Sequence, residues 1–450
     1  MEKLAVTGAR RGLPRSLAVL GAIAVGLFIV GTAVLVGSAF GPPASRRALS
    51  EEAVCPGLPA GRLGSVAYVR GGGLHVVDVA GCARQVLVTK GADAPVRWSP
   101  DGRWIAFRSA AVISADGEEV LQPLGNQVSQ WEWEWSPASD EIAAVSRSGG
   151  VVIGGPGIEV RQLLPDGWGA TSLAFDPSGK EIAVARFLTS GRAPDYQVVD
   201  QGVWVVDVAT GAAKEVYRTP HGQVAPPVMA GWSPDGRWFL FWSDIQNSAS
   251  IAADGLPLDA APVAGGQAVT LTGALVFRDF FSSCGSRLVL TSGGDRYVNV
   301  GKHLISVEPD SWGSIDLSPV SARSWFWPAC SPDARWVAAT VAPSRYPRRF
   351  GQDPRSIWVV AADGSERLQL TDTPDVADEL PRWSADGRYI LFVRRGLSWQ
   401  ASGSLYLAQI DPSSGSPMSL FGPIARLGPG GGYYGHSIWS ETTDWYRPPA

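Results

Sequence analysis

The chain has 450 residues, of which 53 are Gly, 34 are Pro and 19 are Trp, and 18% carry a charge. This composition favours many short strands joined by tight turns and argues against a helical protein. The formal net charge is −4 and no stretch is strongly basic. We therefore expect no nucleic acid partner, because phosphate contacts need a concentrated cationic face.

The first predicted element is a membrane helix. Residues 16–40 form an uncharged run rich in Leu, Val, Ala and Gly, which exceeds the roughly 20 residues that a helix needs to span a bilayer. Basic residues stand at positions 3, 10, 11 and 15, so the positive-inside rule places residues 1–15 in the cytoplasm. The sequence thus predicts a single-pass plasma membrane protein with an extracytoplasmic linker over 41–63. A cleaved signal peptide is the alternative, since residues 37–39 suit a peptidase.

A repeat follows the linker. Its clearest copies are Trp-Ser-Pro-Asp-Gly (WSPDG) at residues 98–102 and 232–236, and Trp-Ser-Ala-Asp-Gly at 383–387. Weaker copies begin at Trp135, Phe175, Phe281 and Cys330, and a degenerate one at Trp439. The spacing between successive copies runs from 37 to 57 residues, which suits propeller blades of four strands.

The motif has a mechanical reason. Pro presets the backbone for the second position of a tight turn, Asp tolerates the third, and Gly adopts the left-handed conformation at the end. Apolar residues flank each copy on both sides, as the two strands of a hairpin require. Each repeat therefore predicts strand A, the turn, and then strands B, C and D.

With these WSPDG copies the chain resembles the TolB-type, WD40-like β-propellers. The resemblance implies an all-β fold, a β-propeller over residues 64–450 that follows the membrane helix. It is specific to fold rather than to function.

Ring closure determines the number of blades. Three strand-like runs precede the first motif, at residues 65–69, 74–79 and 85–88, and they lack an A strand. Residues 434–439 offer that strand from the C-terminal end, which would remove both open sheet edges. We therefore predict eight blades, with seven as the alternative if one weak copy is a long loop.

Four cysteines in an exported chain predict two disulfides, and three pairings are formally open. Cys284 and Cys330 lie in the turns of adjacent repeats, so we favour that pair together with Cys55–Cys82. No two cysteines have CxxC spacing and the four His are scattered, so we expect neither a metal site nor a cofactor.

Candidate binding residues lie in long connections on the face opposite the WSPDG turns. These connections cover residues 188–200, 219–231, 343–355, 371–379 and 422–435. Cationic and aromatic residues together suit an acidic partner or a glycan. The candidates are Arg345, Tyr346, Arg348, Arg349, Phe350, Tyr196, His221, Tyr433, Tyr434 and His436.

Residues 131–135 read Trp-Glu-Trp-Glu-Trp. This alternation predicts that the Trp side chains wedge between blades, while Glu132 and Glu134 face the wetter side or the channel.

No G-x-S-x-G, P-loop, HExxH or EF-hand pattern occurs. We therefore expect a binding or scaffold module for a protein, peptide or glycan, and not an enzyme. The alternative is an envelope lyase or glycan hydrolase with its site at the propeller mouth. That alternative requires two close carboxylates or a His–carboxylate pair there. Because the first strand is a B strand, the chain enters from the turn side, and the long loops should point away from the membrane.

Overall fold

The computed structural model describes residues 63–449, apart from 192–196, 246–254, 319–321, 347–352, 399 and 433. The predicted membrane helix over 16–40 and most of the linker lie outside this part. Within residues 63–449, no helix is both long and apolar enough to cross a membrane.

Three strands come first: β1 (Ser65–Arg70), β2 (Gly73–Asp78) and β3 (Arg84–Val88). Blade 1 consists of β4 (Val96–Trp98), β5 (Trp104–Phe107), β6 (Ala111–Ser114) and β7 (Val120–Leu121). Blade 2 consists of β8 (Val128–Trp135), β9 (Ile142–Ser146), β10 (Val151–Gly155) and β11 (Ile158–Leu164). Blade 3 consists of β12 (Ala170–Phe175), β13 (Glu181–Ser190), β14 (Gln197–Asp207) and β15 (Ala213–Arg218).

Blade 4 consists of β16 (Pro227–Trp232), β17 (Trp238–Ser243), β18 (Leu256–Pro262) and β19 (Val269–Ala274). Blade 5 consists of β20 (Phe281–Cys284), β21 (Arg287–Ser292), β22 (His303–Val307) and β23 (Ser314–Asp316). Blade 6 consists of β24 (Arg323–Cys330), β25 (Trp336–Pro343), β26 (Ser356–Ala361) and β27 (Arg367–Gln369).

Blade 7 consists of β28 (Val376–Trp383), β29 (Tyr389–Gly396), β30 (Ser402–Ile410) and β31 (Pro417–Phe421), and β32 (Arg426–Pro429) also pairs with β30. The last strand, β33 (Thr443–Tyr446), pairs with β1 and completes blade 8 in the order β3-β2-β1-β33. Two helical segments are short, the 3-10 helix Arg278–Phe280 and the helical turn Trp439–Thr442. All strands within a blade pair antiparallel. The strands form eight separate sheets, so the prediction of eight blades rather than seven is confirmed.

The WSPDG turns are held by the motif's own polar side chains. In blade 1, the Ser99 hydroxyl donates to Asp101 Oδ1 at 2.7 Å and accepts the backbone N–H of Trp104 at 3.0 Å. Gly102 takes a φ of +73°, as the end of this turn requires. The same Ser–Asp bond recurs at the turns that begin with Ser233, Ser331 and Ser384. The motif therefore encodes a self-sufficient hairpin turn, which explains its repetition.

The motif tryptophans join neighbouring blades. The indole N–H of each donates to the backbone of the preceding blade's A strand: Trp98 to Asp444, Trp135 to Arg97, Trp232 to Ala174 and Trp383 to Ala329. Each acceptor stands one residue before the corresponding position of its own repeat. By this criterion Trp445 occupies the first motif position of the eighth repeat. The prediction that this repeat begins at Trp439 is therefore wrong.

The closing strand also differs from the predicted one. Residues 434–439 form no strand, whereas β33 lies further along and pairs Val66 with Trp445. The Trp445 indole N–H donates to Leu63 O at 2.7 Å, which ties the two ends of the ring together. The backbone of residues 434–439 instead bonds to other blades, so it is not available for a sheet ladder.

Apolar cores fill the spaces between blades. One of them combines Val145 and Ile153 of blade 2 with Leu173 and Val184 of blade 3. The A strands of adjacent blades contact one another around the axis. The predicted disulfide Cys284–Cys330 is confirmed and joins the A strands of blades 5 and 6, with a Cα–Cα distance of 5.3 Å. Cys82 is also disulfide-bonded, while its predicted partner Cys55 lies outside the described residues.

Candidate functional site

Successive connections alternate between the two faces of the ring. The A–B and C–D turns form one face, here called the turn face, and the B–C and D–A connections form the other, here called the loop face. The long connections, such as residues 293–302, 344–355 and 422–442, all belong to the loop face. The hairpin of β13 and β14 also extends on this side, so the predicted loop over 188–200 is strand for much of its length.

Two predicted binding residues meet in a tyrosine cluster on the loop face. The rings of Tyr346 and Tyr434 each pack edge-on against Tyr297, at centroid distances of 5.4 and 5.0 Å. The Tyr346 hydroxyl donates to Asp295 Oδ2 at 2.6 Å, and this hydrogen bond raises the pKa of the phenol. Arg296 lies over the ring of Tyr434 at 5.1 Å. Tyr346 is 63% exposed, so the cluster offers an aromatic edge to solvent.

A buried lysine holds the loop that carries this cluster. The Lys302 ammonium donates to the carbonyl oxygens of Asp295 and Val300, at 2.6 and 3.2 Å. Burial lowers its pKa to about 8. Because the ammonium group donates to backbone carbonyl oxygens, Lys302 stabilises the conformation of this loop.

Within the predicted cationic loop, Arg345 is already held by contacts inside the protein. Arg345 forms an ion pair with Asp353 at 2.9 Å, and Asn299 donates to the carbonyl oxygen of Arg345 and to Asp353. The other predicted members of this set, Arg348, Arg349, Phe350, Tyr196 and Tyr433, lie outside the described residues.

The two loop histidines have different surroundings. His221 is exposed on the D–A connection between blades 3 and 4, away from the tyrosine cluster. His436 is buried at 2% exposure, so it is not available to a partner in this structure. Its imidazole stacks on Phe277 at a centroid distance of 3.7 Å.

His436 forms a His–carboxylate pair with a distant part of the chain. Its Nε2 lies 3.2 Å from Asp279 Oδ2, and the Ser440 hydroxyl donates to the same oxygen at 2.7 Å. Nδ1 is buried and has no hydrogen-bond partner among the described residues. Ser440 contacts the carboxylate rather than the imidazole, so these three residues do not form a Ser–His–Asp relay.

The pair belongs to a segment that crosses the loop face, residues 430–442, here called the axial strap. Its contacts reach four blades in turn. Tyr434 O accepts from Val298 N of blade 5, Gly435 O accepts from Arg355 of blade 6, Trp439 donates to Glu379 of blade 7, and Glu441 pairs with Arg97 of blade 1. The strap therefore covers the axis on this face and is anchored to the surrounding blades.

The deepest anchor is a buried charge cluster. Arg355 and Arg395 both donate to Glu379 Oε1, at 2.6 and 2.7 Å, while Trp439 donates to Oε2 at 2.6 Å. Burial lowers the pKa of Arg355 to about 10, and the two guanidinium groups together with these hydrogen bonds outweigh burial to lower the pKa of Glu379. Every partner supports ionisation of the carboxylate, so this cluster is structural.

An open pocket of about 610 Å³ lies on the loop face between blades 2 and 3. The start of β8 and of β12 and the end of β13 line it, together with the β9–β10 turn. Polar and apolar atoms contribute about equally to its surface, and the functional groups are hydroxyls, one amide, one carboxyl group, one guanidinium and one aromatic ring. Its main side chains are Ser129, Gln130, Glu132, Ser146, Arg147, Ser148, Thr171, Phe187 and Thr189.

Glu132 is the chemically distinctive residue of this pocket. Burial raises its pKa to about 7; Arg278 acts in the opposite direction, and Glu134 and Glu441 add to the increase. The prediction that residues 131–135 direct their carboxylates to the channel side agrees with this placement, since Glu134 pairs with Arg278 at 3.8 Å. Trp133 and Trp135 are buried and donate to carbonyls of blade 1.

The pocket could not have been found from the sequence, because its walls come from two repeats, while the charges that act on Glu132 include Arg278, between blades 4 and 5, and Glu441 of the axial strap. The Trp-Glu-Trp-Glu-Trp run was the only signal for it. In the part of the chain that the structure describes, no group of three or more His, Cys, Asp or Glu side chains could hold a metal ion.

No protein-family model and no curated protein matches the sequence. Solved structures with a similar arrangement include TolB from Acinetobacter baumannii, at 17% identity and a TM-score of 0.32, covering 71% of this chain and 66% of that one. An oligogalacturonate lyase from Vibrio parahaemolyticus aligns at 11% identity and a TM-score of 0.43, covering 78% and 99%. A puromycin hydrolase aligns at 15% identity and a TM-score of 0.45, covering 81% of this chain and 54% of the hydrolase.

The expectation that this chain is not an enzyme was drawn from the lack of short catalytic motifs. That expectation is wrong. Proteins of similar architecture include a hydrolase and a lyase, so the lack of a short catalytic signature does not rule out chemistry. At these identities the likeness concerns the fold. The chain is similar in architecture both to TolB and to enzymes.

Proposed function

We propose that this chain is a binding module whose loop face receives a peptide or glycan ligand. The observation that carries the proposal is the open pocket between blades 2 and 3. Its volume of about 610 Å³ falls in the range of roughly 300–1,000 Å³ that is typical of ligand sites. A site whose walls are mainly strands of two packed blades can bind without first ordering a long loop.

The chemistry of the lining suits a polar ligand. Ser148, Gln130 and Thr189 supply hydrogen-bonding groups, and the partly exposed ring of Phe187 supplies an apolar surface. The tyrosine cluster on blades 5 and 6 offers a second aromatic surface on the same face. A long ligand or a protein partner could contact both.

We propose further that the ring is held outside the cytoplasm by the predicted helix over 16–40. The Cys284–Cys330 bond supports an oxidising compartment. β1 is the second strand of its blade and begins at the turn face. A tether that enters there would direct the loop face away from the membrane.

The test is binding by the full-length chain in detergent. Soluble cell-envelope glycans and a peptide library are screened by calorimetry, and each binder is measured against two variants. Ser148→Trp places an indole at the pocket rim, whereas Lys180→Trp places one at an exposed site on the turn face. We expect Ser148→Trp to abolish binding and Lys180→Trp to preserve it. Equal affinities for both variants would contradict the assignment of the pocket.

A catalytic role for the same pocket is the second candidate. It is favoured by the pKa of Glu132, about 7, because a carboxyl group with such a pKa can exchange protons near neutral pH. Incubation of each binder with the wild type and with Glu132→Gln, followed by mass spectrometry, distinguishes the two roles. A product formed by the wild type alone would establish catalysis.

A further inference from the structure

A large bulge places Glu132 at the pocket. Between Val128 and Trp133, β8 advances five residues while its partner β9 advances two, from Ser146 to Ala144. The corresponding bulge in β24 is smaller, with three residues against two. Bulges of this kind redirect side chains next to functional sites. In β8 the extra residues include Ser129 and Glu132, and both line the pocket.

The carboxylate of Glu132 has no partner of its own. Among the described residues, no side chain or backbone N–H makes a hydrogen bond or ion pair with it. The nearest candidates are otherwise engaged. Arg278 pairs with Glu134 and donates to the carbonyl oxygens of Leu173 and Met229. Arg147 is exposed, and its Nε donates to Val128 O at 3.3 Å.

Burial outweighs the positive charge of Arg278, which favours the ionised form of Glu132. Glu134 and Glu441 both disfavour its ionised form, although Glu441 is itself paired with Arg97. A partly buried carboxyl group with no cation in contact is costly to ionise, and a ligand cation in contact with it would reduce that cost. Arg147 also lines the pocket but makes no ion pair with Glu132, so a cationic group of a ligand could pair with a carboxylate that the protein leaves unpaired.

We infer that Glu132 binds a primary ammonium group on the ligand of this pocket. The inference rests on the proposed function and assigns the chemistry of its ligand. The ammonium would donate to the Glu132 carboxylate, and neighbouring hydroxyl or amide groups of the ligand would meet Ser148, Gln130 and Thr189. Two kinds of ligand carry this group, a peptide with lysine and an amino sugar.

The experiment uses two matched pairs of probes with the full-length chain at pH 7.5. One pair is a lysine-containing tripeptide with an acetylated N-terminus and its Nε-acetyl derivative. The other is a glucosamine trimer and its N-acetylated form. Acetylation removes the charge and retains the rest of the molecule, so no protein variant is needed for the first comparison. We expect the charged member of one pair to bind at least about tenfold more tightly, and the responding pair identifies the source of the ammonium.

Protein variants then test the residue. Glu132→Gln should reduce that difference to less than about twofold, because the neutral amide cannot pair with the cation. The matched control is Glu159→Gln, since Glu159 is exposed on β11 of the same blade. It should behave as the wild type. A thermal melt of each variant confirms that it is folded.

The pH dependence supplies an independent readout with the same N-terminally acetylated lysine peptide, whose only ammonium group, Nζ, stays charged near neutrality. Because the pKa of Glu132 is about 7, the ionised fraction rises roughly tenfold between pH 6 and pH 8. The affinity of the wild type should rise by a similar factor, and that of Glu132→Gln should not.

The outcomes separate this inference from the proposed function. If neutral probes bind as tightly as charged ones and Ser148→Trp blocks both, the pocket is a binding site but the inference is wrong. If no probe binds and the envelope screen also yields no binder sensitive to Ser148→Trp, both are overturned. Loss of charge selectivity in Glu159→Gln as well as in Glu132→Gln would also contradict the role given to Glu132.

Discussion

Glu379 shows how individual charges stabilise this ring. Its carboxylate is fully buried and takes donors from blade 6, blade 7 and the axial strap. A charge buried in this way is stable only because its partners are present, and removal of one member leaves the others uncompensated.

We expect Glu379→Gln to lower the free energy of unfolding by about 3–5 kcal/mol, since it strands two buried guanidinium groups. Urea unfolding measures the change. Glu366→Gln, on the exposed C–D turn of blade 6, is the matched control and should stay within about 0.5 kcal/mol of the wild type. Similar values for the two variants would show that the buried cluster contributes little.

In contrast to Glu379, the ionised carboxylate of Glu132 should destabilise the folded protein. Its folded pKa of about 7 lies above that of an unfolded glutamate, roughly 4.3, so the unfolded chain ionises first as the pH rises. Stability is therefore lost between these two values. Glu132→Gln should be more stable than the wild type by about 1–3 kcal/mol at pH 8 and nearly equal to it at pH 4.5. Denaturant melts of both proteins at the two pH values measure the difference in their free energies of unfolding. An equal difference at both pH values would rule out the proposed titration of Glu132.

Contacts between residues that are close in sequence could be predicted, whereas interactions between residues that are far apart in sequence could not. The Ser, Asp and Gly of each WSPDG turn contact one another within a few residues. In contrast, Glu132 is influenced by Arg278 and Glu441, which lie far along the chain. No spacing rule connects residues on different blades.

At the scale of elements, the closing strand shows how a repeat search can choose the wrong copy. Residues 434–439 and Thr443–Tyr446 both contain one tryptophan and one tyrosine. The actual strand is identified by its partners, because Trp98 donates from its backbone and its indole to Asp444. That criterion needs the neighbouring blade, so the sequence could indicate closure by a C-terminal strand but not which residues form it.

Removal of this strand should open the ring. Truncation after Thr442 deletes β33 and leaves one long edge of β1 without a partner, so we expect loss of cooperative unfolding and rapid proteolysis. Truncation after Arg447 retains β33 and should melt within a few degrees of the full chain. Thermal melts and limited trypsin digestion compare the two. A stable, protease-resistant ring without β33 would contradict its role as the closing strand.

For the whole molecule, the number of repeats and the three strand-like runs before the first motif were enough to favour eight blades over seven. The functional asymmetry of the ring was not predictable, because it comes from unequal loops. The axial strap and the 3-10 helix Arg278–Phe280 occupy the axis, through contacts such as His436 with Asp279. The open pocket lies over blades 2 and 3. Of the predicted binding residues, Tyr346 of blade 6 and Tyr434 of the axial strap form the tyrosine cluster with Tyr297 of blade 5.

The closing blade also determines how this ring would respond to force. β1, the first strand after the tether, lies between β2 and β33 rather than at a sheet edge. Tension applied through the N-terminal side, against a ligand held on the loop face, would run along the axis of β1. The hydrogen bonds on both sides would then be loaded together in shear, instead of breaking one at a time as at a peeled edge. The arrangement that closes the ring would therefore also make it a mechanically strong attachment point.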